Sequence, residues 1–322
     1  MRQGYSDPGF VNEAKIGLND LVRLSYRHAD ITLIGDGNHT KDDLFEHFGE
    51  PETAVALAES GVTQMFIEVQ TKFQEHVDHL ANGDIDKEQF IKDMLDDGFN
   101  ANHRDDKETL GEIADIVKRA NQAGIEVHCA DLGNGVDEMV DAIVEKHFFE
   151  EGRYPNAVTQ ETVNVADKKS WDARLDDRGL AEFINDRVPE GEKAVVIYGY
   201  HHGSLFGDFE EHLREDLKSV KIDVHPSEGS FEASQRGLVE LNDRAGTRLG
   251  EDAPDMIYIM SGFFTDGRVY TTGATSKELS DDIKENAESF KTSEKSDPPD
   301  VKPEENYAPQ PDGAQSDPIK PM

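Results

Sequence analysis

At 322 residues the chain is long enough for one large domain or two modest ones, and its 36% hydrophobic content suffices for a core. A formal charge of -35, from 68 acidic against 33 basic residues, argues against nucleic acid or an anionic membrane as partner, because both need clustered Lys and Arg. The single cysteine, Cys129, rules out an internal disulfide framework and any multi-cysteine zinc site.

The N-terminal stretch Met1-Arg-Gln-Gly-Tyr-Ser-Asp-Pro8 has no apolar signal-peptide core, and no segment approaches membrane-spanning length, so a cytoplasmic protein is expected. Residues 12–28 read as an amphipathic opening helix with Ile16, Leu18, Leu21, Val22 and Leu24 on its apolar face. An apolar strand follows at 31–35, entering a glycine turn that at once presents Asp36 and His39. A helix around 51–60 closes at Gly61, and the strand Met65–Val69 carries Glu68.

Residues 71–97 read as a polar, acidic helical stretch within an insertion of about 71–104, and 106–123 as a stronger helix ended by Gly124. The strand 125–131 contains Cys129, expected as inert core, and ends at Asp131. Helical segments at 136–148 and 160–187 lead to the strand 194–198, which runs into Gly199-Tyr200-His201-His202. A helix at 209–218 and strands at 220–225 and 256–260 complete a domain spanning 1–285. From 286 the chain is expected to become a disordered acidic tail; seven of the thirteen prolines lie beyond Lys291. Strands alternating with helices predict an α/β fold: a mostly parallel sheet with helices on both faces.

Parallel strands place their carboxyl ends on one edge, where open α/β sheets bind ligands. Four predicted strands end there in Asp36 with His39, Glu68, Asp131, and His201 with His202. Two imidazoles with two or three carboxylates suit general acid/base catalysis or a divalent metal site. Strand alternation turns His201 away from His202. Each member has a structural alternative: Asp131 as a turn cap, Glu68 in a bridge to arginine.

Arg174 and Arg178, four residues apart on a helix just before the His202 strand, are able to aim a guanidinium fork at a carboxylate, a phosphate or a developing oxyanion. The alternative is a solvated helix, with Asp172, Asp176 and Asp177 beside them. His28, His47, His76, His79, His147 and His212 fall in polar helical stretches and are expected to be solvated. His103 lies in a loop suited to a lid.

These motifs resemble a known superfamily. Gly35-Asp36-Gly37-Asn38-His39-Thr40 is similar to the Gly-Glu-x-Thr/Ser-His-Gly motif of erythromycin esterases, with Asp36 for the glutamate and Thr40 for the last glycine. Gly199-Tyr200-His201-His202 resembles the Gly-x-x-His ending of ChaN-like haem-binding and Tiki/TraB proteins, and Phe66-Ile67-Glu68 matches that superfamily's glutamate strand. Ala130-Asp131 resembles the third-strand aspartate of the esterase branch, and 174–184 its arginine-bearing helix, although Leu180-Ala181-Glu182-Phe183 departs from the Arg-Asp-x-x-Met-Ala-x-Asn pattern.

The resemblance spans residues 28–225 and implies an α/β hydrolase of ester, peptide or phosphoester bonds. It implies His39, Glu68, His202, Asp36 and Arg174 or Arg178 as catalytic groups, with a small-molecule or peptide substrate. A divalent metal (Mn, Zn or Co), where used, would be held by His39, Glu68, His202 and Asp131. The ChaN branch implies instead a non-catalytic haem or iron carrier with Tyr200 or His201 as axial ligand. A third expectation is an interaction or effector protein that retains the fold without the chemistry.

Overall fold

The computed structural model describes residues 12–36, 43–100, 105–132, 177–199, 209–225, 255–260, 267–271 and 275–293. In chain order these form β1 (Asn12–Ile16), α1 (Leu18–Ser25), β2 (Ile31–Asp36), α2 (Asp43–Phe48), α3 (Pro51–Glu59), β3 (Val62–Gln70) and a 3-10 turn (Thr71–Phe73). There follow α4 (Gln74–Asn82), α5 (Lys87–Asp96), α6 (Asp106–Gln122), β4 (Glu126–Asp131), α7 (Asp177–Asn185) and β5 (Lys193–Gly199). The last are α8 (Phe209–His212), β6 (Ser219–His225), β7 (Met256–Met260), β8 (Gly267–Thr271) and α9 (Lys277–Ser293).

The strands join in one sheet of order β1-β8-β7-β6-β2-β5-β3-β4. From β7 to β4 every pairing is parallel, and only β8 breaks the pattern, running antiparallel to both β7 and β1. This is the mostly parallel α/β sheet that the alternation of elements predicts.

Both faces are covered, which explains the unbroken apolar runs in β2 and β5. On one face Ile31, Leu33, Phe66, Ala130 and Val196 pack against Leu180, Ala181 and Ile184 of α7 and Phe209 of α8. On the other, Ile34, Met65, Ile67, Val127, Cys129, Val195 and Ile197 meet α1, α3, α4, α6 and α9 in the larger core. Gly61 and Gly124 take positive φ values of 86° and 80° just past α3 and α6, ending both helices where expected. Cys129 is fully buried and its thiol pKa is pushed up by that burial, in keeping with an inert core residue.

Several expectations are corrected. The opening helix over 12–28 is a strand followed by a helix: Asn12–Ile16 pairs antiparallel with β8, from Asn12 opposite Thr271 to Ile16 opposite Gly267, and the helix begins at Leu18. The stretch 71–97 is split after α4 by Gly83, at φ 76°. The helix expected over 209–218 stops at His212, where Arg214 turns back to donate from Nη1 to the carbonyls of Asn185 (2.7 Å) and Val188 (2.9 Å). The elements β8 and α9 were not anticipated, and α9 carries helix across residue 286, where the tail was expected to start. The segments 136–148 and 160–176 lie outside the described residues.

His47 is not solvated. It is buried under α1, with Nε2 3.0 Å from Asn19 Oδ1. His28 also has a structural role, pairing at 3.0 Å with Asp282 and so tying the end of α1 to α9. His76 sits 2.7 Å from Asp97.

β8 opens on a residue chosen for its lack of a side chain, because a Cβ at Gly267 would overlap the Cζ and Oη atoms of the buried Tyr258 across the β7–β8 pair. Gly267→Ala should therefore lower stability by about 1–3 kcal/mol through overpacking, measured by urea unfolding. Unchanged stability would show that the tyrosine is free to move aside.

Candidate functional site at the carboxyl edge

The parallel pairings of β4, β3, β5, β2 and β6 bring their carboxyl ends to one edge of the sheet. Register places Asp36 opposite both Gly199 and Val224, and Gln70 opposite Asp131. The strand ends carrying Asp36, Glu68, Asp131 and the start of the Tyr200-His201-His202 run are therefore neighbours, as the alternation of elements requires.

Glu68 owes its position to a bulge. Ile67 pairs with Cys129 but Gln70 with Asp131, so β3 spends one residue more than β4 over this interval. The β3–β5 ladder ends at Ile67 opposite Ile197. Beyond it, Gly199 N donates to Glu68 Oε2 at 2.7 Å, a carboxylate taking the place of a strand carbonyl. On the α7 face, the buried Tyr198 reaches over β3 and its hydroxyl donates to Ala130 O at 2.9 Å. Glu68 remains partly exposed.

Asp131 closes β4 at intermediate exposure. Arg178 lies in the first turn of α7, where its Nε donates to Glu182 Oε1 at 2.8 Å and its side chain is 67% exposed. Its guanidinium is thus engaged along its own helix. The backbone of Asp36 is described as the end of β2; His39, Arg174, Tyr200, His201 and His202 lie outside the described residues, as do His103 and His147. Among the described residues no group of three or more His, Cys, Asp or Glu side chains comes together as a metal set, and no helix is long and apolar enough to cross a membrane.

Sequence reasoning missed the polar side of β6. Lys221, Asp223 and His225 alternate with Val220, Ile222 and Val224, and all are buried. Asp223 stands level with Gly35, and His225 lies at the same edge one strand from Asp36. The alternation was visible as Ser-Val-Lys-Ile-Asp-Val-His, but it reads as a half-exposed strand, whereas both faces are covered here. Burial lowers the His225 pKa to about 4, and that of His47 likewise to about 4. It has the opposite effect on Asp255 next to β7, raised to about 6 although Lys221 N donates to its Oδ2 at 2.8 Å.

The chain matches no family model and no curated protein. Among solved structures it is similar to the type III effector HopBA1, with a TM-score of 0.43 and 16% sequence identity over 67% of this chain and 88% of that one.

The buried imidazoles set a pH dependence of stability. Between pH 6.5 and about 4 the unfolded chain protonates His47 and His225 while the folded chain keeps them neutral, so their contribution is present above 6.5 and is lost as pH falls. Asp255 acts in the other direction, since the folded chain takes up its proton near pH 6 and the unfolded chain only near 3.8. His47→Gln and His225→Gln should each lose less stability than the parent protein on going from pH 7 to pH 4.5, followed by urea unfolding. Parallel losses in parent and variants would show that neither imidazole is held neutral.

Proposed function

We propose that the chain is a hydrolase of ester, peptide or phosphoester bonds, of the erythromycin esterase and Tiki type, acting at the carboxyl edge of β4, β3, β5 and β2. The observation that carries this most directly is the Glu68 bond to Gly199 N at 2.7 Å, with Asp36 in register on the other side of Gly199. Two acid-bearing strands flank the residue from which Tyr200-His201-His202 departs, and His39 follows Asp36 by three positions.

Water attacks a carbonyl or phosphoryl centre near neutral pH only when a base removes its proton. His39 or His202 is assigned that role, with Glu68 and Asp36 orienting the imidazole and stabilising the imidazolium that forms. An arginine from the helix before β5 offsets the charge that develops on the attacked group; Arg174 is the better candidate, since Arg178 is engaged with Glu182. A divalent metal, where bound, would be held by His39, Glu68, His202 and Asp131 and would make the attacking water more acidic.

A panel of p-nitrophenyl esters, p-nitrophenyl phosphates and peptide anilides, assayed with and without added Mn²⁺ or Zn²⁺, tests this. His39→Ala, His202→Ala and Glu68→Gln should each lower kcat/KM on the best substrate by about 10²-fold or more. Activity indifferent to all three substitutions, or no turnover of any panel member, would sink the proposal. Haem titration with a Soret shift and no turnover would point to a carrier instead.

A further inference from the structure

Among the described residues the sheet ends at β4, and the outer side of that strand is engaged by a side chain. Gln74, in the first turn of α4, lays its carboxamide along it: Oε1 accepts from Cys129 N at 2.7 Å and Nε2 donates to Val127 O at 3.0 Å. A residue of an added parallel strand makes this same pair of bonds, donating to one carbonyl and accepting from the amide two residues on. The glutamine fills one rung where a further strand would sit.

That rung lies in a cleft of about 570 Å³, within the range of ligand-sized pockets. The position that an eighth neighbour-to-neighbour pairing would occupy is flanked by α4 on one face of the sheet and α7 on the other. Asp78 stands on the α4 wall, where it also accepts from Gln74 Nε2 at 2.8 Å. Phe183 of α7, with Asp186 and Arg187 just past its end, forms the opposite wall, and Arg187 lies over the Phe183 ring with Cζ 3.5 Å from its centroid. The floor holds Glu126 and His128, the latter stacked on Phe66 and hydrogen-bonded through Nε2 to Gln64 Oε1 at 2.7 Å.

Asp78, Glu126 and Asp186 are all exposed. Burial lowers the His128 pKa, so the ring adds no charge near neutrality. Three carboxylates thus face one guanidinium, and the cleft is net acidic. A strand edge paired by a side chain, with walls on both faces and negative charge, fits one class of occupant.

We propose that the β4 edge is a strand-addition site for an extended cationic peptide. The peptide displaces the Gln74 carboxamide, pairs with Val127 O and Cys129 N, and sets Lys or Arg side chains at alternate positions against Glu126 and Asp186 on the α7 face. It uses none of the residues assigned to hydrolysis, so either proposal can fail without the other.

The test is fluorescence anisotropy on the full chain with a labelled octapeptide of alternating Lys and Val, its Glu and Val counterpart, and a fully N-methylated Lys and Val form. The Lys and Val peptide should bind, and the other two at least about tenfold more weakly, since one lacks the charge and the other the strand-pairing donors. The double substitution Glu126→Lys with Asp186→Lys, both at exposed positions, should weaken binding by about tenfold or more. Gln74→Ala should tighten it, a gain that non-specific attraction to an acidic protein does not produce. Equal binding of the N-methylated peptide, or indifference to the charge reversals, would overturn the proposal. So would self-association of the parent chain in sedimentation that the charge reversals abolish, because the occupant would then be a second copy.

Discussion

Between Ile67 and Gln70 the sheet has to absorb one surplus residue in β3, and the carboxyl edge is organised around how it does so. A bulge takes a stretch of backbone out of the ladder on both sides, and each amide or carbonyl left buried without a partner costs about 1–3 kcal/mol. Two side chains take over the vacated bonds: Glu68 accepts from Gly199 N, and the Tyr198 hydroxyl donates to Ala130 O. Glu68 is consequently tied to main-chain geometry through Gly199 N. An acid so held is pre-oriented, which is what a group acting on water or on a neighbouring imidazole needs.

The same edge shows how unevenly the sheet treats polarity. At β3 and β4 the acidic groups keep some access to solvent. Along β6, Lys221, Asp223 and His225 are buried in a row, a costly arrangement that holds only where charge is neutralised or hydrogen-bonded. His225 responds by staying neutral, its pKa lowered to about 4, and Lys221 lies 4.0 Å from Glu210. β6 thereby extends the polar edge one strand past Asp36 toward the interior, while β3 and β4 extend it toward solvent.

How much of this was legible in the sequence follows from what is local. Continuous apolar runs, glycines after α3 and α6, and polar residues at strand ends are local signals, and they placed β2, β3, β4, β5, β6 and β7 and the shared edge. Asn12–Ile16 was misread because its strand partner among the described residues, β8, lies some 250 residues away and that pairing leaves no trace near residue 12. His47 looked solvated because its helix is short and polar on paper; the third-dimensional neighbour, Asn19 of α1, buries it. Glu68 was identified, but the bulge that aims it was not, since an extra residue in one strand shows only against the register of its neighbours. The β6 row was hidden for the converse reason: alternation normally marks a wet face, and here both sets of side chains are buried.

The two ends of the sheet solve the edge problem differently, and this bears on where partners reach the molecule. β1 closes one end as a five-residue strand with α9 packed against it, and short, covered edges are the usual protection against strand pairing. Among the described residues β4 ends the other with six residues, paired parallel to β3. One glutamine carboxamide satisfies a single rung there, at the place proposed for a further strand. Because Asp131 lies at the carboxyl end of that same strand, next to the Glu68 bulge, a chain laid along β4 runs toward the polar edge. Among the described residues, the strand that ends the sheet is also one that runs toward the proposed hydrolytic edge.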